Sequence, residues 1–336
     1  MIYIVTRHDH AHTIDHIAEH LAKHRLADIR MLTYGALFAR RKAPVGHYVF
    51  TDFDRLTSYE VEVAAAIARS IEDAAPGARI LNRPERVLER YPLLRRLAAL
   101  GLNDFTAWRL DGGDLPSRYP VFVRSEDDCK QPDTGLLHSE QALLRALESL
   151  RASGVPLKRR IAVEYCAEPG ADGYFRKYGV LRIGEHVFPQ NLQHNADWYV
   201  KRATHERQDD GPLRAESNAF VAENPHAEEV RRRFAIANID FGRIDYGFVG
   251  GRMQVYEINT NPTIPPFWAE TPNEGQRQRR VRQQKRFLAA LADIDTPLTG
   301  PKLVRFSLPR PRLQSFQPPQ PRVTPDREGP PAAASA

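Results

Sequence analysis

The segment Arg243-Ile-Asp245-Tyr-Gly-Phe-Val-Gly250-Gly251-Arg-Met-Gln-Val-Tyr-Glu257-Ile-Asn259 constrains this chain more than any other. Two alternating apolar and polar stretches flank a glycine pair, the pattern of a β-hairpin. Register then decides whether its polar residues can act together. A two-residue Gly250-Gly251 loop sets Asp245 opposite Tyr256 and Glu257 opposite Ile244, with the carboxylates on different faces. A three-residue loop, Gly250 to Arg252, sets Asp245 opposite Glu257 and Arg243 opposite Asn259, with Ile244–Ile258 and Tyr246–Tyr256 pairs on the reverse. Of the two, only the longer loop keeps both faces consistent, and a glycine supplies the left-handed residue it needs. The expected result is two carboxylates and an amide on one sheet face, a hard-oxygen site suited to Mg2+ or Mn2+ rather than zinc. Magnesium borrows phosphate oxygens readily, so few protein ligands suffice beside a nucleotide. The plain alternative is a solvated hairpin that carries two acids.

At 336 residues the chain predicts two or three subdomains. No apolar run approaches the roughly 18 residues that span a bilayer. The N-terminal Met-Ile-Tyr-Ile-Val-Thr enters a strand-like run without a basic region or cleavage site. Cys129 and Cys166 are the only cysteines and lie in no metal-binding spacing, so a reducing, cytoplasmic setting is expected. The net charge is +6. Much of it falls between Pro297 and Ala336, where six basic residues face two acidic ones among ten prolines. That composition predicts an extended, unpacked tail. The body is nearly neutral, and neither a membrane nor nucleic acid is expected as a partner. One basic cluster interrupts it: Arg277, Arg279, Arg280, Arg282, Lys285 and Arg286, on a final helix ending near Ala292.

The first unit alternates strand and helix. Ile2 to Thr6 reads as a strand, and His12 to His24 as a helix burying Ile14, Ile17, Ala18 and Leu21. Tyr48 to Thr51 is a second strand, followed by Thr57-Ser-Tyr-Glu60, a capping box that opens a long helix stopped by Pro76-Gly77. Ala78 to Asn82 is a third strand, and a helix through Leu93, Leu94, Leu97 and Leu100 ends at Gly101. The second unit holds strands at Tyr119 to Arg124 and Arg160 to Cys166, a helix from Ser139 to Ala152, and a strand pair from Tyr174 to Phe188 around Ile183-Gly184. The third holds Trp198 to Lys201, a helix around Ala227 to Ala237, the hairpin and the basic helix. This is an α/β unit followed by α+β lobes.

With these residues in order, the chain resembles the ATP-grasp superfamily, in particular its carboxylate–amine ligases such as D-alanine–D-alanine ligases and glutathione synthetase-like enzymes. Gly242-Arg243-Ile-Asp245 and Glu257-Ile-Asn259-Thr-Asn-Pro262 look like the end of the D-alanine–D-alanine ligases. Ile161-Ala-Val-Glu164-Tyr165-Cys166 looks like the hinge strand that holds adenine, and Ile183-Gly184-Glu185-His-Val-Phe-Pro189 like the antiparallel pair after it. Leu81-Asn82-Arg-Pro84 looks like the close of the first domain. The resemblance covers roughly residues 1–292.

The resemblance implies an N-terminal Rossmann-like unit over 1–103, a central lobe over 104–190, a C-terminal lobe with the metal site over 191–296, and the two lobes clamping ATP. It also implies that Asp245, Glu257 and Asn259 hold magnesium, that Arg243 stabilises an oxyanion, and that Glu164, Tyr165 and Cys166 hold the base. Arg124 stands where the family places a phosphate-binding lysine; Lys201, where the ligases place a lysine near the terminal phosphate, is the best substitute, with a plain surface lysine as the alternative. The ribose-binding acid cannot be placed: Glu168 and Asp172 lie in an insertion, and Lys177 occupies the aligned position.

The implied activity is ATP-dependent joining of a carboxylate to an amine through an acyl phosphate, with small molecules or peptides as substrates. A glycine-poor, acidic loop after Arg124 motivates an alternative, a catalytically degenerate nucleotide-binding scaffold. A third reading uses the basic helix on RNA or acidic partners. His12, His16, His20 and His24 recur every four residues, a spacing able to chelate a transition metal but equally ordinary on a surface. Trp198, Phe267 and Trp268 read as packing residues, with Pro265-Pro266-Phe267-Trp268 a candidate pocket wall.

Overall fold

The computed structural model describes residues 1–128, 130–200, 211–270 and 274–309. Strand β1 (Ile2–Thr6) is buried along its whole length, which places it inside a parallel sheet covered by helices on both faces. It pairs in parallel with β2 (Ile29–Thr33) and β4 (His47–Phe50), and β4 pairs with β5 (Ile80–Leu81), giving the order β2-β1-β4-β5. Alternate β1 residues serve opposite layers. Ile2 and Ile4 meet Ile17 and Leu21 of α1 (Asp15–Lys23), while Tyr3 and Val5 meet Val63, Ile67 and Ile71 of α3 (Ser58–Ala74). The capping box that opens α3 is present, with the Thr57 hydroxyl accepting from the Glu60 amide and the Glu60 carboxylate accepting from the Thr57 amide. Strand β2, the helix α2 (Tyr34–Arg40) and the short β3 (Lys42–Pro44) were not anticipated from sequence.

Helix α4 (Arg90–Ala99) leads into a central lobe of three antiparallel strands, β6 (Ala107–Arg109), β7 (Val121–Ser125) and β8 (Arg160–Glu164), in the order β6-β8-β7. Leu143 and Leu147 of α5 (Glu140–Ala152) cover Val121 and Val123. The remaining strands form one antiparallel sheet, β10-β9-β11-β12, from β9 (Phe175–Ile183), β10 (His186–Asn195), β11 (Phe241–Val249) and β12 (Arg252–Asn259). On its reverse face lie α6 (Gly211–Glu223) and α7 (Ala227–Ala237), through Phe220, Val230 and Phe234.

Two expectations change here. The strand pair expected in the central lobe belongs to the sheet of the hairpin, because β9 lies along β11 with Gly179 beside Asp245. Val180 packs into one core while Leu181 and Ile183 pack into another, and a strand covered on both faces needs the larger sheet. Strands β9 and β10 thus share one sheet with the hairpin. The expected unpacked tail also begins later. Strand β13 (Leu303–Arg305) pairs antiparallel with β3, and Phe306 is buried against the N-terminal core. Its proline-rich composition masked this short apolar run; residues 310–336 lie outside the described part.

Helix α8 (Glu274–Ile294) joins the units. Its Phe287, Ala290, Leu291 and Ile294 enter one core with Ile2, Ile4 and Ile17 of the N-terminal unit and Leu181 and Ile183 of β9. Asn82 adds a polar latch. Fully buried in the left-handed conformation (φ +55°), it donates to the carbonyls of Phe50 and Phe241 at 2.9 and 2.7 Å. Its side-chain oxygen accepts from the amides of Asp240 and Phe241 at 2.7 and 2.9 Å. Among the described residues, no helix is long and apolar enough to cross a membrane.

Asn82→Ala would strand buried amides and carbonyls and replace a residue suited to that backbone conformation. Chemical denaturation is expected to show a loss of about 2–4 kcal/mol; a loss below about 1 kcal/mol would contradict the latch.

Candidate active site

The hairpin reaches the expected pairing by a different route. Gly250 and Gly251 form a two-residue turn between Val249 and Arg252, both with positive φ, +54° and +75°, as a tight hairpin turn requires. A one-residue bulge at Tyr256 then shifts the register, so Tyr246 pairs with Val255 while Asp245 pairs with Glu257 and Arg243 with Asn259. The expected three-residue loop and Tyr246–Tyr256 pair are therefore replaced by a tight turn and a bulge. The bulge also brings Tyr256 to the cleft face and leaves Val255 in the core with Tyr246. Gly247 makes room for it: a Cβ there would stand 2.5 Å from the Tyr256 hydroxyl.

Arg243, Asp245, Glu257 and Asn259 all line a cleft of about 800 Å³ between the lobes. Each acid is ringed by cations. The buried Asp245 accepts two bonds from Arg243, at 2.8 and 3.2 Å, and pairs with Lys177 at 3.2 Å. Glu257 is bonded by Arg90 at the start of α4. Burial opposes its charged form, yet Arg90, Arg124 and Lys177 hold its carboxyl well below the ordinary carboxylate range. Burial and the neighbouring Arg90 pull Arg124 below the usual arginine value. Four cations thus surround two carboxylates, leaving a positive surplus that a polyphosphate would relieve.

Arg90 also donates to the carbonyls of Ser125, Glu126 and Asp128 at 3.2, 3.1 and 2.7 Å, and Arg124 donates to Asp128 at 3.1 Å. The loop after β7 is therefore gathered by guanidinium groups onto its carbonyls, rather than by glycines that free its amides. Arg90 was missed from sequence, and Lys177 was read only at the aligned position of the ribose acid. Lys177 would have emerged had β9 been placed beside β11; Arg90 belongs to no motif and reaches Glu257 only through the fold.

Along β8 the expected base-binding set divides. The buried Glu164 carboxylate is engaged by the Thr106 amide at 3.0 Å, Trp108 and Arg118. Its side chain is thus tied to the central lobe while still lining the cleft beside Tyr165 and Cys166. Tyr165 and Cys166 line the cleft, as does Trp198, whose ring lies 5.0 Å from Phe122 and 5.7 Å from Tyr165. Trp198, read as packing, therefore lines the cleft. Lys201 lies outside the described residues. Of the two candidate ribose acids, Asp172 is bound by Arg176 at 2.7 and 3.0 Å, while Glu168 lines the cleft and accepts from the Gly250 amide at 2.8 Å.

Asp245, Glu257 and Asn259 offer hard oxygens that fit Mg2+ or Mn2+. Among the described residues no three His, Cys, Asp or Glu side chains gather to hold a metal by themselves, so the fit depends on the amide and on ligand oxygens. The histidine row is tied into packing instead: His20 stacks on Trp268 at 3.7 Å and His16 bonds the Ile264 carbonyl at 3.0 Å. Pro265 and Pro266 do line the cleft, whereas Phe267 packs on Phe287.

Burial, with Asp104 close by, pushes the Cys166 thiol up to about 11. At pH 8 its alkylation by iodoacetamide should run about a hundredfold slower than that of a free cysteine, rising through pH 9 to 11. Peptide mapping would separate it from Cys129; fast labelling at pH 8 would contradict the half-buried position beside Asp104.

No protein-family model matches the sequence, and no curated protein does. Solved structures do. The D-alanine–D-alanine ligase of Bacillus anthracis complexed with ATP matches with a TM-score of 0.51 and 11% identity, over 88% of this chain and 95% of that one. A second structure of the same ligase matches with a TM-score of 0.50 and 11% identity, over 87% and 95%. A RimK domain ATP-grasp protein from Sphaerobacter thermophilus shares 13% identity over 88% and 99%, with a TM-score of 0.47. The match to the first two runs over nearly their full length, and the chain has the ATP-grasp fold.

Proposed function

We propose that this chain is an ATP-dependent ligase that joins a carboxylate to an amine through an acyl phosphate. The observation that carries the reading is the pairing of Asp245 with Glu257 and of Arg243 with Asn259 on the cleft face, ringed by Arg90, Arg124 and Lys177. ATP would lay its base along Tyr165, Cys166 and Trp198, with main-chain groups of β8 in place of the Glu164 carboxylate, and its phosphates toward the four cations. Glu168, which lines the cleft, would meet the ribose. A divalent cation held by Asp245, Glu257 and Asn259 would offset phosphate charge during transfer.

A substrate carboxylate oxygen attacks the terminal phosphorus, the bond to the ADP oxygen breaks, and an acyl phosphate and ADP form. An amine lone pair then attacks the acyl carbon; the bond to phosphate breaks and nitrogen releases one proton. Arg243 stabilises the negative charge that gathers on the acyl oxygen, and its donors are oriented by Asp245. Catalysis here is charge stabilisation and positioning, with no covalent enzyme intermediate.

The degenerate, nucleotide-binding reading draws on the loop after β7, gathered by Arg90 and Arg124. The RNA-binding reading loses its basis: Arg279, Arg280 and Arg286 of the basic helix donate to the carbonyls of Gln190, Ala269 and Val221.

Glu257→Gln is expected to abolish Mg2+-dependent ADP release while circular dichroism and thermal unfolding stay near wild type; undiminished release would remove the site. Arg243→Ala should lower kcat by about 10²–10³-fold and ATP affinity far less, and equal losses in kinetics and titration would contradict the oxyanion role. Tight ATP binding without turnover over a broad panel of acids and amines would favour the degenerate reading.

A further inference from the structure

Asn259 is the one neutral member of the oxygen set at the cleft, and one end of its side chain cannot bind a metal. A carboxylate presents oxygen whichever way it turns, whereas a carboxamide carries oxygen on one side and an N–H donor on the other. Asn259 is also the last residue of β12, so the strand ladder ends where this choice must be made. The choice is fixed by a bond from beyond the strand: the Asn261 main-chain amide donates to the Asn259 side-chain oxygen at 2.8 Å. With the carboxamide turned over, two N–H donors would face each other. The oxygen held in this way keeps a second lone pair for a cation.

Asn261 is itself gripped by the N-terminal unit. It is buried, and its side-chain nitrogen donates to Asp52 at 2.9 Å and to the Thr6 hydroxyl and His10 carbonyl, each at 3.2 Å. Its side-chain oxygen accepts from the Thr13 hydroxyl at 2.5 Å. Thr6 closes β1, Asp52 follows β4 in the left-handed conformation (φ +59°), and His10 and Thr13 lie on the short helical segment His8–Thr13. The buried Asp52 is held in turn, accepting from the Thr6 hydroxyl and from the Arg7 amide at 2.9 Å, with the His10 ring 3.2 Å away. Thr6, Asp52 and Asn261 thus close a ring of hydrogen bonds. The chain beyond is pinned to the same unit, since the Ile264 amide donates to the Thr13 carbonyl at 3.4 Å and the His16 ring bonds the Ile264 carbonyl at 3.0 Å.

We propose that Asn261 is a positioning residue for the metal site. The N-terminal unit, through Thr6, Thr13 and Asp52, fixes the Asn261 main chain, which selects the orientation of the Asn259 carboxamide and so sets the affinity for a divalent cation. The inference deepens the ligase reading above and rests on it. Asn261 acts through Asn259 and touches neither ion nor substrate. None of the three proposed ligands belongs to the N-terminal unit, yet that unit is part of the metal site.

Binding of Mn2+ beside a non-hydrolysable ATP analogue, followed by electron paramagnetic resonance, tests the assignment. Nucleotide affinity without metal is measured separately. Asn261→Ala is expected to weaken Mn2+ binding about 10- to 100-fold, the range for residues that orient a metal ligand, with metal-free nucleotide affinity near wild type. The same substitution is then made in an Asn259→Asp background. A carboxylate offers oxygen in either orientation, so there Asn261→Ala should cost less than about 3-fold. Thr13→Val removes the donor to the Asn261 oxygen with little change of shape and should weaken Mn2+ about 3- to 10-fold. It replaces Asn261→Ala in both backgrounds if that variant fails to fold.

An equal loss in both backgrounds would mean that Asn261 holds the fold rather than the carboxamide. Undiminished Mn2+ affinity in Asn261→Ala would leave it without a part in the site. Either result overturns the proposal and leaves the ligase reading intact. Wild-type protein that binds no Mn2+ beside the nucleotide would remove the metal site on which the ligase reading stands, and this assignment with it.

Discussion

A single extra residue in β12 governs the chemistry of the cleft. The tight Gly250-Gly251 turn by itself would send Asp245 and Glu257 to opposite faces, and the bulge at Tyr256 restores them to one. Because side chains alternate along a strand, every polar residue beyond the bulge depends on it. Ile244 and Ile258 stay in the core behind the sheet, which makes any other register bury charge. Burial on the reverse face thus enforces the arrangement on the front.

Two carboxylates packed this closely need neighbours of opposite sign. The cations come from separate parts of the fold: Arg90 from the helix that enters the central lobe, Arg124 from β7, Lys177 from β9 and Arg243 from β11. None of these elements makes a site alone. Their convergence favours the charged form of Glu257 and leaves excess positive charge at the cleft. Polyphosphate entering it would exchange guanidinium–carboxylate contacts for guanidinium–phosphate ones, and in doing so release the acids toward a cation. On the ligase reading proposed above, the affinities for nucleotide and metal would be linked by the same side chains.

The lobes hold this geometry through α8 and Asn82. Helix α8 carries an apolar stripe into the core shared by β1, α1 and β9, and its Arg279 reaches from the cleft wall onto the Gln190 carbonyl. A second buried cluster ties the residue after the hairpin to the N-terminal unit: Asn261 donates to Asp52 at 2.9 Å and accepts from Thr13 at 2.5 Å. Asp52 itself accepts from the Arg7 amide at 2.9 Å. Movement of the N-terminal unit would be felt directly at Asn259, two residues from that junction.

Local pattern was enough for much of this. Alternation and the glycine pair identified the hairpin and its acids, the capping box located α3, and the apolar spacing of α1 marked its buried face. These signals are written in neighbouring residues, where propensity and periodicity act. The bulge left no such trace, since a two-residue turn with a bulge and a three-residue turn place Asp245 and Glu257 alike. The sheet membership of β9, the docking of β13, the anchoring of Glu164 and the reach of Arg90 to Glu257 were likewise hidden. Each depends on which segments, far apart along the chain, close over the same core. The residue types at the cleft follow from the chain's own order; their partners follow from long-range packing, because a charged side chain takes its character from whatever the fold brings beside it.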